Sequence, residues 1–173
     1  MRELSLTLCV ALAVAGCAPK PDPVNYRTRP GTIGSAALFD PGRFQGDWHV
    51  VAAFGSEAAC AGQRESWAAD GPGRFVVRAI GCTPQGARTF ASRAVLTGPG
   101  RISRVGLAGG EEFWVLWVDA DYRIAAIGAP SGRFGRIMAR ENPPRADLLR
   151  AAEQILDFNG YDISALHPVP KAP

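Results

Sequence analysis

Apolar residues in this chain gather in short runs punctuated by glycine, proline, aspartate and serine. Eight of these runs are strand-sized: Trp48–Phe54, Arg64–Ala69, Arg74–Cys82, Ala87–Leu96, Arg101–Leu107, Glu112–Asp119, Tyr122–Gly128 and Phe134–Arg140. Turn signals separate them, among them Asp70-Gly71-Pro72-Gly73, Gly98-Pro99-Gly100, Gly109-Gly110 and Pro130-Ser131-Gly132. Even spacing and short turns predict an all-β, up-and-down antiparallel barrel or sandwich. The run Phe113–Val118 is apolar on both faces, so that strand is covered on both sides. The cover is predicted just downstream. Asn142 as a cap and prolines in the first turn start a helix. Leu148, Leu149, Ala152, Ile155 and Leu156 then recur at helical spacing, with Arg145, Asp147, Arg150, Glu153 and Asp157 on the other face, and Gly160 stops the helix. One amphipathic C-terminal α-helix therefore packs outside the strands.

The first residues have a different pattern. Residues 4–16 are almost wholly apolar behind Arg2, too short to span a hydrocarbon core of about 30 Å as a helix and fitted to the apolar region of a secretory signal. The segment ends in Val14-Ala15-Gly16-Cys17, which resembles the lipobox of bacterial lipoproteins. That resemblance implies cleavage before Cys17, lipidation of Cys17, and anchoring in the envelope, with the outer membrane indicated by Ala18 in the next position. Residues 18–37 are rich in proline, glycine and small polar side chains and read as a tether. The expected organisation is a lipoprotein signal peptide over 1–16, lipidated Cys17 and a flexible tether over 17–37, and a barrel domain with its helix over 38–173.

Export changes the reading of the cysteines. Cys60 and Cys82 remain in the domain, and an oxidising compartment favours their bonding. Folding the hairpin about Asp70–Gly73 brings Cys60 beside Cys82, and closing that loop stabilises by about 3 kcal/mol in the chain-entropy account.

The chain has 173 residues, is 47% apolar and 20% charged, and carries a net charge of +3. It can build a core. Its 19 basic residues are scattered, with no run suited to nucleic acid. Both lysines, Lys20 and Lys171, lie in the tails, which excludes a catalytic lysine within the fold. Only His49 and His167 are available as histidine ligands, so neither a metal nor another cofactor is expected.

Four segments together resemble the lipocalin family, and specifically its bacterial lipid-anchored members. Phe39 to Trp48 looks like the first motif, a helical turn leading to Gly46-x-Trp48. Asp119 and Tyr122 look like the second, with Val118-Asp119-Ala120 where the family often has Thr-Asp-Tyr. Phe134 to Arg140 matches the third, which ends in arginine, and Gly160 to Leu166 resembles the segment after the helix. The resemblance covers residues 38–168 and implies an eight-stranded barrel, an apolar cup open at one end, and a closed end built by Gly46, Trp48, Asp119, Tyr122 and Arg140. Gly46 permits close backbone approach, and Arg140 can cover the Trp48 ring in a cation–π contact.

Alternation from Trp48 places Val50, Ala52 and Phe54 inside. Aligned with the family, Phe113 points in, and Val115 and Trp117 share its phase. Phe134 and Met138 share the phase of Arg140. These residues form the expected ligand-binding lining, some of them filling the core instead. Arg136 has the same inward phase. A buried arginine needs a partner, either a ligand carboxylate or phosphate or an internal acid.

The leading functional expectation is an envelope lipoprotein that stores or transports fatty acids or lysophospholipids, with membrane contact through Cys17 and no nucleic-acid partner. An envelope scaffold with a filled barrel is the alternative class, and an enzyme is a third. There is no H-E-x-x-H, G-x-S-x-G or phosphate-binding glycine loop to support catalysis. Oligomeric state stays open, a homodimer included.

Overall fold

The computed structural model describes residues 24–29, 31–83, 86–105 and 112–172. The proposed signal peptide, Cys17 and the Gly109-Gly110 turn lie outside the described residues.

Strand β2 (Arg64–Ala69) shows how the wall forms. Glu65 and Trp67 are buried while Arg64, Ser66 and Ala68 are exposed, the two-residue period of a sheet with one wet face. Asp70–Gly73 turns the chain through glycines with positive φ, and β3 (Arg74–Thr83) returns with Arg64 opposite Ile80 and Ala69 opposite Phe75. The meander continues through β4 (Gly86–Gly98), β5 (Arg101–Val105), β6 (Glu112–Val118), β7 (Ile124–Gly128) and β8 (Gly135–Ala139). Strand β1 (Gly46–Phe54) pairs with β8 on one side and β2 on the other, which closes an eight-stranded antiparallel barrel. Each of the eight strands thereby has a neighbour on both sides.

A short ninth strand, β9 (Leu166–Pro168), is an addition to the expected eight. Strand β2 covers only Gly46–His49 of β1, and β9 takes the vacated side opposite Ala52–Phe54. The helix of the first motif is α1 (Pro41–Phe44), where the Asp40 carboxylate caps Gly42 N–H at 2.7 Å.

The large helix, α2 (Ala146–Phe158), packs on β6, β7 and β8 from outside and buries Ala152 and Leu156. It begins later than expected, and Asn142 does not cap it. Arg145 holds the N-cap position without a side-chain cap bond. Pro143 and Pro144 each disfavour helical backbone in the residue before them, so helix becomes accessible only beyond that pair.

Within residues 24–29 and 31–37, several positions lie against the barrel. Tyr26 N–H donates to Gly132 O at 2.8 Å and Asp162 N–H donates to Tyr26 O at 2.8 Å. Ile33 is buried, and Ala36 N–H donates to Val115 O at 2.8 Å. Proline and glycine content signals irregular backbone, not freedom from contact.

Two apolar cores result. One fills the closed half of the barrel with Phe44, Trp48, Trp67, Val77, Ile102, Val115, Ile127 and Met138. The other lies between the wall and α2, with Val51, Phe54, Leu116, Ile137, Leu156 and Tyr161.

Candidate functional site

The closed end is a saturated structure. Trp48 is fully buried and its indole N–H donates to Phe44 O at 2.8 Å. The Arg140 guanidinium sits 3.8 Å from the Trp48 ring centroid. It donates to the carbonyls of Tyr122, Asp47, Arg43 and Gln45 at 2.6–3.2 Å. Gly46 has φ +92°, and a Cβ there would stand 3.1 Å from Arg140 Nη1, so both backbone shape and space call for glycine. Asp119 accepts from the backbone of Ile124 at 3.0 Å and from Arg123 Nε at 2.8 Å. The Tyr122 hydroxyl accepts from Asp40 N–H at 2.6 Å, tying the first motif to the second. All five residues of the expected closed-end cluster therefore meet, despite the Val118-Asp119-Ala120 departure.

The other half of the barrel is open, with a cavity of about 650 Å³. Four of the nine expected lining residues border it: Val50, Phe113, Phe134 and Arg136. Val115 and Met138 also face inward but lie in the filled core below. Ala52, Phe54 and Trp117 instead belong to the outer core, a correction with one physical cause. The register shifts between Val50 and Ala52 in β1 and between Val115 and Trp117 in β6. Each bulge adds a residue and inverts the phase of the strand beyond it, so Ala53, not Ala52, turns inward. Phe54 stacks outside between Tyr26 and Tyr161, at 5.0 and 5.3 Å between ring centroids.

The lining is more polar than the expected aliphatic and aromatic cup. Ser56, Glu57, Gln63, Glu65, Thr83, Arg104, Glu112 and Arg136 border it beside Ile80, Phe90, Phe113 and Phe134. Glu65 and Arg104 are site residues that the family resemblance did not point to. Their signal was nonetheless present: Glu65 alternates with Trp67, and Arg104 with Ile102, both fully inward. The Cys60–Cys82 disulfide forms as expected, with Cα atoms 5.5 Å apart, and lies on the cavity wall. It pins the 3₁₀ turn Gly55–Ala59, which carries Glu57, to the end of β3.

Four of the five charged lining residues, Glu57, Glu65, Arg104 and Arg136, form one cluster. Glu65 Oε1 lies 2.8 Å from Arg104 Nη1 and 2.7 Å from Arg136 Nη2, and Glu65 Oε2 accepts from Trp67 Nε1 at 3.0 Å. Glu57 Oε1 stands farther off, 3.6 Å from Arg136 Nη1. The Phe113 ring lies beside both guanidiniums, 5.5 Å from Arg104 Cζ and 5.2 Å from Arg136 Cζ. Burial alone would raise the Glu65 pKa, but the charges of Arg136 and Arg104 overcome it and hold it at about 2. Burial raises the Glu57 pKa above the usual carboxylate range, with Arg136 only partly opposing it. Two guanidiniums thus share one firmly ionised carboxylate. Among the described residues no group of three or more His, Cys, Asp or Glu side chains is arranged to hold a metal ion.

Comparison with known proteins agrees with this geometry. Residues 39–171 match the Lipocalin-like domain family. A 61-residue stretch is 34% identical to temperature-induced lipocalin-1 of Arabidopsis thaliana, covering 35% of this chain and 33% of the plant protein. The chain thus spans about a third of the length of that curated relative. Among solved structures, lobster apocrustacyanin A1 superposes with a TM-score of 0.65 at 15% identity, over 88% of this chain and 93% of that one. The siderocalin Ex-FABP, described as working through dual ligand specificities, superposes with a TM-score of 0.61 at 16% identity, over 76% and 96%. At those identities the structures speak for the fold, while the domain match spans most of the chain: the protein belongs to the lipocalin family.

Proposed function

We propose that this lipocalin is a lipid-anchored envelope protein that binds a small amphipathic ligand, of the fatty acid or lysophospholipid class, for storage or transport. The observation that carries the reading is the cavity of about 650 Å³ with aromatic walls and a charged, buried cluster at Arg104, Glu65 and Arg136. Apolar walls favour an acyl chain by burial, at about 25 cal/mol per Å² before ordering costs, and polar groups set its orientation. A scaffold with a filled barrel fits this less well, since only the closed half is packed solid. A binding role also fits the family better than an enzymatic one. The anchor rests on the Val14-Ala15-Gly16-Cys17 pattern. Incorporation of labelled palmitate that is lost in Cys17→Ser tests it.

Titration with fatty acids and lysophospholipids, monitored by tryptophan fluorescence, tests ligand carriage. Trp67 is the reporter to watch, because its indole bonds to Glu65 and its ring lies 5.5 Å from that of Phe113. Trp114 and Trp117 face the outer core. Saturable one-to-one binding, micromolar or tighter, is expected. Silence across chain lengths and head groups rejects carriage and favours a protein partner.

A further inference from the structure

The charged cluster sets two guanidiniums against one closely paired carboxylate and one distant one. Glu65 has both carboxylate oxygens engaged, Oε1 by the two arginines and Oε2 by Trp67. Arg104 and Arg136 are only 6% and 4% exposed, so each charge is costly without a partner. Among the described residues, Arg104 Nε and Arg136 Nε have no hydrogen bond, and Arg136 Nη2, though near Glu65, is misaligned for one. Among the described residues Glu57 is the remaining acid in reach, yet its Oε1 is 3.6 Å from Arg136 Nη1, beyond a good hydrogen bond, and its Oε2 has no partner there. Its side chain is 34% exposed, and on leaving it gives up only the long contact to Arg136.

We propose that the cavity selects an amphiphile with a compact anionic end, a carboxylate or a phosphate monoester, seated on Arg104 and Arg136, and that Glu57 is a built-in competitor for that seat. This rests on the reading of the barrel as a ligand carrier and goes past it to the ligand's charge. A guanidinium fork recognises a planar carboxylate or a phosphate by paired donors. The chain of such a ligand lies along Val50, Ile80, Phe90 and Phe134. Glu57 stands where the ligand anion is wanted, holds the site partly neutral while it is empty, and is displaced on binding.

The test titrates the full chain with decanoate, decyl phosphate and decanol, which share chain length and differ in the head group. Decanoate or decyl phosphate is expected to bind at least about tenfold tighter than decanol, and the tighter of the two identifies the class. Glu57→Gln is expected to tighten the anions several-fold relative to decanol. Arg136→Gln is expected to reduce the anions to the affinity of decanol. If Arg136→Gln does not fold, Glu57→Gln, at a position about one-third exposed, still decides. Equal affinity for all three probes, unmoved by Glu57→Gln, overturns the anionic seat and leaves ligand carriage standing. Tighter anions with no response to Glu57→Gln overturn the competitor. No binding of any probe overturns carriage and the seat together.

Discussion

The closed end of the barrel and its open half each hold an inward-facing arginine from the same stretch of chain, four residues apart, and they are partnered in opposite ways. Arg140 lies over Trp48 and donates only to backbone carbonyls, four of them, whose positions are set by α1, β1 and the turn before β7. Arg136 leans on side chains, one of them shared with Arg104 and the other barely in reach. A guanidinium saturated by backbone is a fastener. One held by movable acids can exchange a partner, which is what a ligand requires.

The contrast is broken most severely at Glu65. Glu65→Gln leaves two buried guanidiniums without their carboxylate and is expected to cost about 3–5 kcal/mol in chemical denaturation. Acid titration examines the same group. The folded-state pKa of about 2 lies below the ordinary 4.5, so its contribution is complete above about pH 4.5 and is lost as the pH falls toward 2. Asp119, lowered by its hydrogen bonds against the opposing effect of burial, acts in the same direction, whereas the raised Glu57 acts in the opposite one. Stability that stays flat from pH 5 to pH 2 would show that the Glu65 pairing is not made in solution. The smaller effect belongs to the closed end. Arg140→Lys keeps the charge but loses the fan of donors, and is expected to cost about 1–2 kcal/mol. Because Arg140 does not border the cavity, decanoate affinity should be unchanged. A parallel loss of affinity would mean that the two halves are coupled.

Much of this was legible in the chain. Turn residues marked the hairpins at Asp70–Gly73, Gly98–Gly100 and Pro130–Gly132, and apolar spacing marked the face of α2, while the connection from β6 to β7, which holds Asp119 and Tyr122, read as strand. The Gly46, Trp48 and Arg140 pattern marked the closed end, since a bulky plug, its cation and the glycine that admits both leave a local trace. The lining was legible only where strands run without interruption. Val50 and Phe113 precede the bulges and were placed correctly, while Ala52, Phe54 and Trp117 lie beyond them and were inverted. A bulge is chosen by how neighbouring strands fit around the barrel, and no residue near 51 or 116 announces it.

The sequence by itself determined the alternation of strands and turns, the helix outside them and the pairing of Cys60 with Cys82, because these depend on local period and on one hairpin. Only the tertiary structure decided what stands opposite Arg136. Glu57, Glu65 and Arg104 come from a 3₁₀ turn and two other strands, 39 residues separating the last two, and a partner across a barrel is set by closure and strand stagger, which no local pattern encodes.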